Sequence, residues 1–172
     1  MKLGIVMLLA MLPILAQKAP QSYWGNTRSD GRSWCGYSDS TAFHAAADTL
    51  SSSETARVTY SDGVMTELID QVTPESGDWI VIDRYTPTSA RFQVRRTILL
   101  AQEQLQVVQQ GVLDGTTRPV LRTTSVTTSR GKKAKLGQAD VPDVPVRNRL
   151  SQFGFLRLVE RMRSQNLSRL CQ

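Results

Sequence analysis

The sequence predicts an α+β fold: an antiparallel β-meander sheet of five to six strands, with a short N-terminal helix and a C-terminal helix packed on one face. Two runs of β character, 79–85 and 90–100, are joined by a turn. Further runs of period two lie before and after this pair. Residues 147–172 change to a helical period. A sheet that closes on itself is the structural alternative.

The central pair of strands predicts one dry and one wet face. The run 79–85 begins with apolar side chains on both faces, which is typical of a strand in the middle of a sheet. In the run 90–100, apolar and polar residues alternate, and Arg96 is the charged exception on the apolar side. The connecting residues 86–89 contain Pro87, whose fixed φ suits a turn.

The other strands follow from turn signals. The runs 55–60 and 64–72 flank Asp62-Gly63, a strong hairpin signal because glycine accepts a positive φ. The run 105–113 continues the meander. The threonine-rich run 119–128 begins with a proline, which suits an edge strand.

Before the strands, residues 17–37 form an arm rich in glycine, serine and aromatic side chains, without a clear period. Trp24 and Trp34 in this arm are candidate ligand-binding residues, because aromatic rings stack on sugars or bases. The alternative is that they cover one end of the core. A short helix is expected over 41–50, capped by Asp39 or by the serine that follows it.

The N-terminus predicts export. Lys2 precedes an apolar stretch, and Ala16 ends it before polar residues, which is the layout of a signal peptide at 1–16. A retained membrane anchor is the alternative, although the apolar stretch falls short of the roughly 20 residues that span a bilayer. We expect a secreted or periplasmic protein with no transmembrane helix after signal removal.

Two cysteines, Cys35 and Cys171, lie in the exported part of the chain. In an oxidising compartment such a pair usually forms one disulfide, although two separate thiols are the alternative. The predicted bond would attach the C-terminal tail to the N-terminal arm.

The positive charge is concentrated near the C-terminus. The chain carries a net charge of +6, and the ten Lys and Arg and three Asp and Glu from Arg130 onward give that part +7. We divide the mature chain into a β-rich part at 17–128, a basic and proline-containing linker at 129–146, and a C-terminal helix of the same domain at 147–172. Within the linker, the candidate ligand-binding residues are Arg130, Lys132, Lys133 and Lys135. A merely solvated loop is the alternative.

The sequence contains few features that are typical of an enzyme active site. His44 is the only histidine, and Asp48 is its one plausible helical partner. No nucleophile elbow, phosphate-binding loop, nucleic-acid motif or metal-ligand spacing occurs, so no cofactor or metal is predicted. Asp78 and Asp83 are candidate catalytic carboxylates, but a cross-strand pair of Asp83 with an arginine explains this acid without catalysis.

The sequence therefore predicts a small exported, non-enzymatic binding protein, whose basic loop contacts an anionic polymer or an envelope protein. The alternative is a secreted hydrolase of a glycan or polyanion that uses carboxylates near Asp78 and Asp83. An inhibitor that acts by surface complementarity is a third possibility.

Overall fold

A computed structural model describes most of the chain, in the ranges 19–28, 31–47, 53–89, 91–113, 120–136, 141–147 and 149–172. The predicted signal peptide at 1–16 lies outside these ranges. The helices are α1 (Ser40–Ala47) and α2 (Gly154–Gln165), with a 3₁₀ turn at Leu150–Gln152. The strands are β1 (Gln21–Thr27), β2 (Trp34–Tyr37), β3 (Glu54–Ser61), β4 (Val64–Val72), β5 (Trp79–Pro87), β6 (Phe92–Leu100), β7 (Leu105–Leu113), β8 (Arg122–Thr128) and β9 (Arg169–Cys171).

The nine strands in these described ranges belong to one antiparallel sheet in the order β8-β7-β6-β5-β4-β3-β1-β2-β9. The predicted antiparallel sheet is confirmed, but the prediction of five to six strands was wrong. Strands β3 to β8 form a six-stranded meander with short connections. The three additional strands, β1, β2 and β9, extend the sheet beyond β3.

The extra strands come from segments whose sequence does not alternate. The arm predicted as irregular forms the β1–β2 hairpin, in which all four residues of β2 are buried on both faces. Strand β9 is only three residues long, and it pairs Cys171 opposite Cys35. The predicted disulfide between these two cysteines is present. Backbone hydrogen bonds in both directions between Trp34 and Gln172 continue the pairing.

The Asp62-Gly63 turn forms as the sequence predicts. Ser61 and Val64 face each other across it, and the two central residues have φ of 50° and 82°. Positive φ at both central positions is the geometry of a type I′ turn, whose twist matches that of the flanking strands.

Helix α1 begins where the sequence places it, because the Asp39 carboxylate accepts a hydrogen bond of 2.8 Å from the Ala42 amide. The helix lies beside β1 and β2, where Phe43 packs against Tyr37 and Cys35. We call this side of the sheet the outer face.

Helix α2 covers the opposite side, the inner face, where the main core lies. Val58, Leu68 and Tyr85 on the strands are fully buried, and so are Leu158 and Val159 on the helix. Each such aliphatic side chain contributes about 1.5–3 kcal/mol through burial. The helix is shorter than the predicted 147–172 segment, because the residue after it, in position 166, adopts a left-handed conformation and turns the chain into β9.

Two glycines let α2 approach the sheet. Gly25 on β1 and Gly36 on β2 lie directly opposite each other. A Cβ at Gly25 would lie 2.3 Å from the Phe155 ring, and one at Gly36 would lie 2.7 Å from the Met162 sulfur. The helix therefore packs directly against the backbone at these two glycines, and any larger residue at either position would occupy the space of its side chains.

Residues 141–147, named the strap, contribute to the core over the far half of the inner face. Val141 and Val144 pack in the cluster that contains Val81 and Ile98. Residues 141–146 of the strap belong to the segment predicted as a linker, and Arg147 belongs to the segment predicted as the C-terminal helix. Its packing gives the inner face of β5 and β6 a cover that α2 does not supply.

We expect Gly25→Ala to lower the free energy of unfolding by about 1–3 kcal/mol, because the new methyl group overlaps the Phe155 ring. Urea unfolding with the disulfide intact measures this change. Gln21→Ala, at the exposed start of the same strand, is the control and should change stability by less than about 0.5 kcal/mol. A Gly25→Ala variant as stable as wild type would show that the helix does not need this close approach.

Candidate functional site

A row of arginines crosses the outer face of the sheet. Arg84 on β5 lies directly opposite Arg95 on β6, Arg95 opposite Gln110 on β7, and Gln110 opposite Arg122 on β8. Register partners on neighbouring strands point to the same face. All four side chains are exposed. We call Arg84, Arg95 and Arg122 the arginine row.

The arginine row is incompletely neutralised. Arg84 lies 3.3 Å from the Glu67 carboxylate, which also pairs with Arg57 at 3.0 Å. Within the ranges that the structure describes, neither Arg95 nor Arg122 forms an ion pair. The outer face therefore carries an excess of positive charge.

The row lines a shallow groove of about 550 Å³. Polar side chains with hydrogen-bonding groups surround the guanidinium groups: Thr86, Gln93, Gln110 and Thr124. Guanidinium groups donate to carboxylate, phosphate and sulfate in fork geometry, and amides and hydroxyls add neutral donors. The arrangement is suited to a ligand that carries several negative charges.

The basic residues predicted from the sequence lie elsewhere, in a tight turn after β8. The Thr128 amide donates 2.8 Å to the Lys132 carbonyl, and the Ala134 amide donates 3.0 Å to that of Val126. Thr127 and Lys133 form an isolated bridge. The candidates Arg130, Lys132, Lys133 and Lys135 are exposed. This turn and Arg122 lie at opposite ends of the edge strand.

The two candidate tryptophans have different surroundings. Trp34 is buried, and its indole packs with its centroid 5.3 Å from that of Phe153 and 5.4 Å from that of Phe155. The structure thus gives Trp34 a place in the core beneath α2. Trp24 is half-buried on the outer face near Phe43. The two rings lie on opposite faces and do not form one platform.

The candidate catalytic carboxylates Asp78 and Asp83 lie in different surroundings, and each accepts hydrogen bonds from another side chain. Asp83 is buried and accepts hydrogen bonds of 2.8 Å and 2.7 Å from the Nε and Nη2 atoms of Arg96. The predicted cross-strand pair is confirmed, and it explains the charged exception on the apolar side of β6. Asp78 is exposed in the preceding turn, where it accepts a 3.1 Å hydrogen bond from Gln102.

A second ionic group on the inner face has no counterpart in the sequence predictions. Arg147 of the strap donates to Asp70 Oδ2 at 3.0 Å and also to the Glu54 carboxylate. Its guanidinium carbon lies 3.9 Å from the centre of the Phe153 ring. The three charged residues are far apart in sequence, so only the fold brings them together. The inner-face ionic group is defined as Glu54, Asp70 and Arg147.

One carboxyl of this group holds its proton unusually tightly. Burial raises the pKa of Asp70 to about 8, and the neighbouring Glu54 carboxylate adds to the rise while Arg147 opposes it. Asp70 is 5% exposed, and its Oδ1 atom has no hydrogen-bond partner. Burial also raises the pKa of Tyr85, whose hydroxyl is buried nearby without a partner.

His44 does not form the catalytic arrangement considered from the sequence. Its exposed ring packs against Phe43 at a centroid distance of 5.2 Å, while Asp48 lies outside the described residues. In the described part of the chain, no group of three or more His, Cys, Asp and Glu has the geometry to hold a metal ion. No helix in those ranges combines the length and the apolar character needed to cross a membrane.

The chain matches no family model, no curated protein and no solved structure. The two faces of the sheet each carry a charged site, the arginine row outside and the inner-face ionic group inside.

We expect Asp70→Asn to remove a pH dependence of stability. The folded pKa of about 8 exceeds the ordinary value of 3.8. The stabilisation from the protonated carboxyl is therefore complete below about pH 4 and is lost as the pH rises through 8. In this range the free energy of unfolding of wild type should fall, relative to the variant, by up to about 1.4 kcal/mol per pH unit. Urea unfolding across the range measures both proteins.

Asp62→Asn makes the same chemical change at an exposed turn and is the matched control, because asparagine also accepts the positive φ of that position. Its unfolding curves should stay parallel to those of wild type. An Asp70→Asn variant that also stays parallel would contradict a tightly held proton on Asp70.

Proposed function

We propose that this chain is a small exported, non-enzymatic binding protein that holds an anionic polymer on the outer face of its sheet, at the arginine row. The observation that carries the proposal is the juxtaposition of Arg84 and Arg95 on adjacent strands, with Arg122 two strands farther along the same row.

Placing Arg84 opposite Arg95 costs free energy of folding, and in the part of the chain that the structure describes the fold gains nothing from it that would offset this cost. Like charges directly opposite on neighbouring strands are destabilising, by up to roughly 1 kcal/mol per pair. Glu67 relieves this for Arg84, but Arg95 gains no such partner within the described ranges. A bound anion between the guanidinium groups would attract both of them and so outweigh their mutual repulsion.

The spacing of the row favours a polymer over a small anion. Neighbouring strands lie about 4.8 Å apart, so the row from β5 to β8 extends over roughly 14 Å. A chain with repeated phosphate, sulfate or carboxylate groups can neutralise successive arginines along that length. Each contact releases counterions, so the affinity falls steeply with salt.

Export is part of the same proposal. The predicted signal peptide supports it, and the Cys35–Cys171 disulfide fits an oxidising compartment. Anionic polymers are available ligands outside the cytoplasm. The basic turn at 130–135 supports a secondary contact, because β8 has seven residues and an extended polymer can reach along its roughly 20 Å.

The hydrolase alternative has less support. Asp83 is fully engaged by Arg96 in the core, and Asp78 lies on an exposed turn rather than beside it. A general acid or base must reach the substrate proton it transfers. The surroundings of Asp83 give it a structural partner instead.

We expect the double variant Arg95→Gln/Arg122→Gln to bind dextran sulfate at least about tenfold more weakly than wild type, because two charge-assisted guanidinium–sulfate contacts are lost. The slope of log affinity against log salt should also become less steep, since fewer counterions are released. Fluorescence anisotropy with labelled dextran sulfate over a salt series measures both quantities, with neutral dextran as the ligand control.

The matched control protein is Lys132→Gln/Lys133→Gln, which removes the same charge from the basic turn. It should retain most of the affinity. If the turn variant loses binding and the row variant does not, the turn is the site and the row proposal is wrong. Equal, small losses in both variants would show that only net charge matters and would also contradict it.

A further inference from the structure

Trp24 lies in line with the arginine row on the outer face of the sheet. The register places Trp24 on β1 opposite Arg57 on β3. Arg57 lies opposite Ile69 on β4, and Ile69 opposite Arg84, where the arginine row begins. Register partners on neighbouring strands point to the same face. We call these side chains, from Trp24 through the arginine row, the outer-face line.

Trp24 borders a groove of about 310 Å³ at its end of the outer-face line. The indole is half-buried and packs against the cluster that contains Tyr37 and Phe43. This packing holds the ring in place, while the rest of the ring lines the groove. Ile69 and several side chains that form hydrogen bonds complete this part of the wall: His44, Thr55, Arg57 and Gln71.

The composition of the groove fits one sugar ring. A pyranose has C–H groups on its faces, which pack against the electron-rich face of an aromatic ring. The hydroxyl groups at its edge can donate to the Gln71 amide oxygen and accept from the Arg57 guanidinium. Small-ligand pockets have volumes of about 300–1,000 Å³. A groove at the lower end of this range suits one ring of a longer chain.

We propose, on the basis of the proposed function, that the polymer bound at the arginine row is an acidic glycan, one of whose sugar rings stacks on Trp24. From β5 to β1 the outer-face line crosses three strand spacings, roughly 14 Å. A flexible polymer covers this length by following the twist of the sheet.

The charge of the outer-face line is complementary to such a chain. Arg57 is exposed and continues the positive charge from Arg84 towards Trp24. Glu67 pairs with both Arg57 and Arg84. The four arginines of the line keep an excess of three positive charges over this carboxylate. Acidic groups can therefore pair with arginines along most of the line, while the ring at its end contacts the indole.

A single-stranded nucleic acid also combines negative charge with rings, but the outer face suits it less well. Proteins that bind such strands present several aromatic side chains, on which successive bases stack. Trp79 and Phe92 are also half-buried, but they pack against the clusters of the inner face. Among the described residues, Trp24 is therefore the one tryptophan, tyrosine or phenylalanine that the outer face offers to a ligand. A single stacking position fits a glycan better.

The test compares a short, lightly sulfated dextran with inorganic polyphosphate, an anionic chain without rings. We expect Trp24→Ala to weaken binding of the sulfated dextran at least about fivefold, because the contact between sugar and indole is lost. Polyphosphate binding should stay within about twofold of wild type, because its contacts are electrostatic. Trp24→Phe keeps an aromatic ring and should retain most of the affinity for the dextran. Fluorescence anisotropy with both labelled polymers measures these affinities.

The wild-type protein gives a second measurement, which does not require that the alanine variant folds. The indole N–H signal of Trp24, assigned in NMR spectra by its disappearance in Trp24→Phe, should shift saturably with the sulfated dextran. Polyphosphate should leave it in place. If Trp24→Ala unfolds and loses both polymers, the indole shift decides.

The contrary outcomes are distinct. An unshifted indole signal, or unchanged affinity of a folded Trp24→Ala variant for the dextran, would overturn the glycan proposal. A larger effect of Trp24→Ala on an oligothymidylate than on the dextran would identify a nucleic acid instead and overturn it too. Failure of the proposed function has another signature, because Arg95→Gln/Arg122→Gln would then bind both polymers as tightly as wild type.

Discussion

Helix α2 packs closely on the sheet because β1 and β2 each have a glycine, without a side chain, directly beneath it. The Gly25–Gly36 pair accepts the Phe155 ring and the Met162 sulfur at distances that a Cβ would forbid. This close approach fixes the rest of the inner face. The helix leads directly into β9, which the disulfide and paired backbone hydrogen bonds hold against β2. At its other end, Phe153 receives the Arg147 guanidinium and so positions the strap.

Much of the positive charge near the C-terminus is used for structure. Arg147 points inward to two carboxylates and an aromatic ring. Arg163 lies with its guanidinium carbon 3.8 Å from the centre of the Tyr60 ring and donates to the Gly63 carbonyl. Charge counted along the sequence therefore overstates what this region offers a partner. The outer face gains its positive charge instead from β5, β6 and β8. These strands lie before Arg130, in the part of the chain whose net charge is −1.

The features predicted from the sequence are those with local causes. The Asp62-Gly63 turn needs only two adjacent residues of the right type. A pair of Asp83 with an arginine was predicted because Asp83 interrupts an apolar run and arginines lie on the next strand, and the register selects Arg96. The β1–β2 hairpin was missed because glycines and aromatic residues replace the usual alternation, and their reason lies in α2, more than a hundred residues away. Strand β9 is too short for any periodicity to show.

The two charged sites were beyond sequence reasoning for a different physical reason. Polar alternation on β6 indicated that Arg95 faces solvent, but only the register of four strands aligns it with Arg84 and Arg122. The inner-face ionic group joins residues 54, 70 and 147, which share no motif. Each residue has an ordinary explanation by itself, and the grouping appears only when the fold shows which residues are neighbours.

Strand β5 separates the two sites while contributing to both. Asp83 and Tyr85 point to the inner face, and Arg84 between them points to the outer face, as the period of two requires. The buried layer of side chains keeps the inner carboxylates and the outer guanidinium groups in different environments: the former in low dielectric, where a single charge is costly, and the latter in solvent, where salt screens them. Charged side chains on the two faces of one strand therefore differ in how solvent affects them. We therefore expect the inner site to respond to pH, because its charge is poorly solvated, and the outer site to respond to ionic strength, because its charge is exposed.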